Sequence, residues 1–144
     1  MSQYISFFAA PSDAAAAAVR NRGPAAKYAS VDASNIYFDA DDAVIAWRNL
    51  LAGNTVPDLS DLRMVADFVN DGSAVFALPE QLVTDLIKAF PRRLREVAEA
   101  WLPAVLADGT EIDVETAAAL LSGIAELARA ASTREDRLYC WVAC

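Results

Sequence analysis

The run Leu138-Tyr139-Cys140-Trp141-Val142-Ala143 near the C-terminal end decides the fold class. Its large rings, Tyr139 and Trp141, occupy one phase of the alternation, and Leu138, Cys140 and Val142 occupy the other. Side chains of a strand point to opposite faces with a period of two, so this strand is apolar on both sides. Such a strand is either central in a sheet or covered by a partner chain. Burial within the sheet is the reading it favours.

Two other short apolar runs supply partners for it: residues 4–9 (YISFFA) and Ser73 to Leu78 (SAVFAL). Helical patterns fill the rest. Pro11 to Arg22 reads as a helix with an alanine face, stopped by Gly23-Pro24. Residues 24–35 are irregular, and Ile36 to Phe38 reads as a short extended piece. Asp39 to Leu51 is a helix: Asp39 can cap it, and Asp41 and Asp42 sit in its first turn. Val44, Trp47, Leu50 and Leu51 form its stripe, and Gly53 ends it. Leu62, Val65, Phe68 and Val69 predict a further helix over Leu59 to Asn70. Pro79 opens a helix with the stripe Leu82, Val83, Leu86, Ile87 and Phe90, and Pro91 starts another that runs to about Leu106, with a kink expected at Pro103. Asp108-Gly109 is a turn, and Asp113 caps a last helix to about Ala131. The expected fold is α+β, a small sheet of short strands backed by about five to six helices in one domain over residues 1–144.

Hydrophobic residues make up 56% of the 144, and 31 of them are alanine, so the larger apolar groups of the late helices and strands must supply most of the core. Twenty acids against twelve bases give a net charge of −8, spread along the chain. No basic excess is present to neutralise phosphates or an anionic membrane, so neither nucleic acid nor membrane is an expected partner. No uninterrupted apolar run is long enough to span a bilayer. The opening residues lack a basic region, and Pro11, Ser12 and Asp13 break their apolar run, so a cytoplasmic location is expected.

Histidine is absent. Ser-His-Asp and Cys-His catalysis and His-ligated zinc are therefore excluded. No phosphate-binding glycine run, nucleophile elbow or CxxC motif occurs, and no cofactor is implied. Asp39, Asp41 and Asp42 lack the spacing and glycine of a calcium loop, and helix capping explains them. Cys140 and Cys144 in a strand lie about 13 Å apart, beyond reach of an intrachain disulfide. Cys140 is expected to be buried, and Cys144 is the thiol that an intermolecular disulfide would use.

Several of these features resemble those of the YfbM-like family of small bacterial proteins. The resemblance rests on Asp39-Ala40-Asp41-Asp42 leading to Trp47-Arg48-Asn49-Leu50-Leu51-Ala52-Gly53, on Pro79-Glu80-Gln81-Leu82-Val83, and on the closing helix and strand from Leu121 to Val142. The basic residue usual ahead of the Trp is missing, since Ala43 to Ala46 are all apolar. The resemblance implies an α+β domain, with no established activity and no functional residues to carry over.

The expected function is therefore a non-enzymatic protein-interaction module, similar to small acidic immunity or inhibitor proteins, that binds another protein or itself as a homodimer. Tyr139 and Trp141 on the last strand, and the cluster Arg92, Arg93 and Arg95, are its candidate interface residues. The pairs Arg92–Glu96 and Arg95–Glu99, at helical spacing, are worth about 0.2–0.5 kcal/mol each if they only decorate a solvated face. The alternative is a small-molecule binder or carboxylate-based enzyme with a pocket between sheet and helices.

Overall fold

A computed structural model describes residues 4–19, 23–24, 28–34, 36, 38–66 and 73–143. Its strands are β1 Tyr4–Ala10, β2 Ser30–Asp32, β3 Met64–Ala66, β4 Ser73–Ala77 and β5 Arg137–Ala143. They form one antiparallel sheet in the order β2-β1-β5-β4-β3. The doubly apolar strand is central, as its alternation predicts. β5 pairs along one edge with β1 (Ile5 opposite Val142, Phe8 opposite Tyr139) and along the other with β4 (Phe76 opposite Cys140). With both edges hydrogen-bonded, β5 has none left to add to a second copy of the chain.

The helices are α1 Asp13–Ala17, α2 Ala40–Ala52, α3 Glu80–Lys88, α4 Pro91–Ala107 and α5 Val114–Thr133. Helices α2 to α5 lie on one face of the sheet. They bury Val44, Trp47, Leu86, Trp101, Leu121 and Ile124 against Ile5, Phe7, Phe76, Leu138, Cys140 and Val142. Aromatic rings mark the middle of this core. Trp47 meets Trp101 edge-to-face with centroids 5.1 Å apart, and Phe38 meets Trp101 at 5.6 Å and 80°. Alanine lets helix and sheet approach closely here; Ala43, Ala98, Ala117, Ala125 and Ala128 are all buried.

The caps act as the sequence implies. The Asp39 carboxylate accepts from Asp42 N at 3.3 Å, that of Asp113 accepts from Thr116 N at 2.8 Å, and Gly53 closes α2 at φ +68°. Arg129 of α5 closes α3 by donating to the carbonyls of Ile87 and Ala89, at 3.2 and 2.8 Å. α4 continues as a helix through Pro103.

Four expectations need correction. The helix expected over Leu59 to Asn70 does not form over its described part: residues 59–63 are irregular and 64–66 are β3. Met64 pairs with Phe76 and Ala66 with Val75 across a register shift, so sheet pairing overrides a spacing that also fits a helix. Residues 67–70 of that span lie outside the described residues. The extended piece at 36–38 is not a strand in its described residues; the strand is β2, inside the stretch read as irregular. The first helix starts later than expected, because Ser12 caps it by accepting from Ala15 N, leaving Pro11 outside. It ends at Ala17, and residues 20–22 of the expected helix are not among those described. Finally, Phe90 does not join the inward stripe of α3. Pro91 disfavours helical backbone at the preceding residue, and Phe90 sits extended at φ −79°, ψ 158° with its ring 78% exposed.

Candidate functional site

The second face of the sheet has a thinner cover. Phe8, Val75, Ala77 and Tyr139 point to it, and over them lie α1, Val19 and Tyr28. Gly23, at φ +78°, passes so close to the Trp141 ring that a Cβ there would stand 3.2 Å from it. Tyr28 stacks on Phe8 with centroids 6.1 Å apart, and Phe8 packs tilted against Tyr139 at 5.7 Å.

At the end of this face the Asp13 carboxylate gathers three donors. The Tyr139 hydroxyl donates to it at 2.8 Å, and Arg63 donates through both terminal nitrogens at 2.6 and 3.3 Å. α1, β5 and the residue preceding β3 are thus tied at one point, in the fork geometry that suits arginine and carboxylate. Electrostatics follow from it. The bonds from Arg63 and then Tyr139 hold Asp13 below the usual carboxylate range, while burial and the Asp13 bond push Tyr139 up to about 12. A carboxylate held ionised and a phenol held protonated are poor proton-transfer groups near neutral pH, so this trio is built for attachment rather than acid–base chemistry.

Beside the trio a cleft opens between the ends of β4 and β5 and the start of α3. It comprises two adjoining cavities of about 240 and 450 Å³ that share Arg63, Leu78, Glu80 and Arg137. Val83, Thr84 and Leu138 line the smaller; Arg48 and Asp61 line the larger. Arg48 comes from α2, is only 8% exposed, and donates to the carbonyls of Asp58 and Ser60 at 2.6 and 3.3 Å.

The candidate interface residues do not come together. Tyr139 is fully buried beneath the second face, and so offers no contact surface; its part is to hold Asp13. Trp141 is half-buried on that same face, between Tyr4 and Gly23. Arg92, Arg93 and Arg95 begin α4, in the helical layer on the other side of the sheet. Two of the three make cross-links within the fold. Arg93 donates to the Leu50 carbonyl of α2 at 2.6 Å and pairs with Glu96 at 3.7 Å. Arg95 bridges Glu99 at 3.4 Å and Glu115 of α5 at 2.7 Å. Among the described residues Arg92 makes no ion pair, so the expected Arg92–Glu96 pair is replaced by Arg93–Glu96. Phe90 stands beside them, and with Pro91, Arg92, Arg93 and Glu96 it lines a surface depression of about 440 Å³.

Cys140 is fully buried, and burial pushes its thiol pKa well up, which makes it unreactive. Cys144 lies outside the described residues. Desolvation, followed by mutual repulsion with neighbouring acids, raises Asp41 and Asp42. Among the described residues no group of acids and cysteines is placed to hold a metal ion, and no helix is long and apolar enough to cross a membrane.

Sequence reasoning missed Phe90 and Asp13. The Phe-Pro step was a usable signal for the first, since a residue before proline leaves the helix. Nothing local announces a contact between Asp13 and Tyr139, which are 126 residues apart. No protein-family model, curated protein or solved structure matches this chain.

Proposed function

We propose that this protein is a non-enzymatic interaction module of the cytoplasm that engages another protein, or a second copy of itself, through the corner between α3 and α4. The observation that carries the reading is Phe90, a large apolar ring left 78% exposed by the proline that follows it. Exposed aromatic side chains beside arginine are the residue types that dominate protein–protein binding energy. Arg92 and Arg93 place cations next to that ring, so the corner suits an apolar pocket with an acidic rim.

The test compares the wild type with Phe90→Asp in sedimentation over a wide concentration range and in affinity capture from the native host. The reading expects an association that Phe90→Asp weakens at least tenfold with an unchanged melting temperature. A wild-type protein that stays monomeric, and whose captured proteins are identical with Phe90→Asp, overturns it.

A further inference from the structure

The cleft between the sheet ends and α3 is independent of the α3–α4 corner, and its lining is unusually mixed. Arg137 stands on the first residue of β5 and, among the described residues, has no ion pair or side-chain hydrogen bond. Arg48, more than nine-tenths buried, lines the larger cavity, and its Nε–H has no protein partner although both carbonyl contacts of that guanidinium are made through its other end. Buried polar groups in native proteins are nearly always paired, so an unanswered guanidinium N–H beside a cavity calls for an acceptor. The first turn of α3 opens on the same space, and Pro79 gives it no side-chain cap. Against these donors stand Glu80 and Asp61, neither of which makes an ion pair among the described residues; the other lining carboxylates, Asp13 and Asp136, are paired with Arg63 and Arg134.

A simple anion here meets the repulsion of Glu80 and Asp61, and a simple cation meets that of Arg137, while the Arg48 guanidinium is partly answered by the Asp58 carboxylate at 3.6 Å. A dipolar molecule meets favourable partners at both ends, and opposing charges placed this way discriminate against either single-charge competitor. The smaller cavity continues from these charges onto Leu78, Val83 and Leu138, an apolar floor for a short aliphatic group. A combined space of several hundred Å³ with an apolar floor and a few convergent polar groups is the usual form of a small-ligand site.

We infer that the cleft binds a small zwitterion with an aliphatic tail, of the chemical class of an apolar α-amino acid. Its carboxylate lies toward Arg137, Arg48 and the open turn of α3, its ammonium toward Glu80 and Asp61, and its tail over Val83 and Leu138. Arg63 takes no direct part, being held by Asp13.

The experiment titrates the ¹⁵N-labelled protein with three probes of nearly equal shape: L-leucine, 4-methylvalerate (no ammonium) and isoamylamine (no carboxylate). The expected result is a saturable shift of the Ala77, Leu78, Glu80 and Leu138 amides with L-leucine. The two single-charge probes bind at least about tenfold more weakly. Arg137→Gln weakens L-leucine by a similar factor while Phe90→Asp leaves it unchanged. Absence of these shifts at millimolar L-leucine overturns the inference. So does equal binding of 4-methylvalerate, which marks a plain anion site, or a wild-type response in Arg137→Gln.

Discussion

The two faces of the sheet are built on different principles. The face under α2 to α5 is held by apolar area, with two tryptophans and a run of leucines and alanines closing on Ile5, Phe7, Phe76 and Cys140. The face under α1 is held by a handful of rings and one charged knot at Asp13, beneath a five-residue helix. Apolar burial spreads stability over many contacts, each replaceable in part. A knot concentrates it in a few directional bonds, sensitive to single atoms and to pH. The same strand, β5, serves both: Leu138, Cys140 and Val142 point to the first face, Tyr139 and Trp141 to the second.

The largest effect expected from breaking this contrast lies on the helical face. Trp47→Ala removes a fully buried ring from contact with Phe7, Phe38 and Trp101 and should cost about 3–5 kcal/mol, lost cooperatively in denaturant unfolding. Next comes Gly23→Ala on the other face. It forces a side chain into left-handed backbone and against Trp141, for about 1–3 kcal/mol. Here hydrogen exchange should rise in residues 28–31 while α5 amides keep their protection. Loss of protection in both places would mean that the two faces are one cooperative unit.

Tyr139→Phe is smaller again. It deletes one donor to Asp13 and leaves Arg63 in place, at about 1 kcal/mol, with exchange rising first at α1. The least effect is that of acid. The Asp13 pKa is lowered in the fold, so its contribution is complete above the unfolded value near 3.8 and is lost as pH falls through the folded value. Asp41 and Asp42 are raised and act oppositely: they oppose folding near neutrality, and protonation relieves that opposition as pH falls through their folded values. Below about pH 4, α1 should loosen while the start of α2 stays formed, and Asp13→Asn should flatten only the first change. Chemical shifts of Ala15 and Ala43 amides followed across that range would show it.

These differences also explain which parts could be read from the chain. α2, α3, α4 and α5 carry their own punctuation, in Asp39, Pro79, Pro91, Asp113 and Gly53, and a stripe for the core. β1, β4 and β5 carry apolar runs too short for helices. β3 and β2 have three residues each, and their conformation comes from a neighbouring strand rather than their own pattern. The two-sided character of Leu138 to Val142 was legible because alternation is local. The Asp13 knot, the cleft around Arg48 and Arg137, and the separation of the Arg92 cluster from Trp141 are products of tertiary placement, which no local period records.

The central pairing of β1 with β5 sets a timetable for the chain during synthesis. Residues 4–10 are made before the other strands, yet one edge of that strand waits for residues 137–143, more than a hundred residues later. Until then β2-β1 and β4-β3 are separate two-strand ribbons, each with an apolar edge open, and two-strand ribbons are marginal in water. Chain growth at about 5–20 residues per second makes that interval several seconds or more, during which neighbouring nascent chains can pair in place of the missing strand. The sheet is therefore completed at its middle, by the latest of its strands to be made.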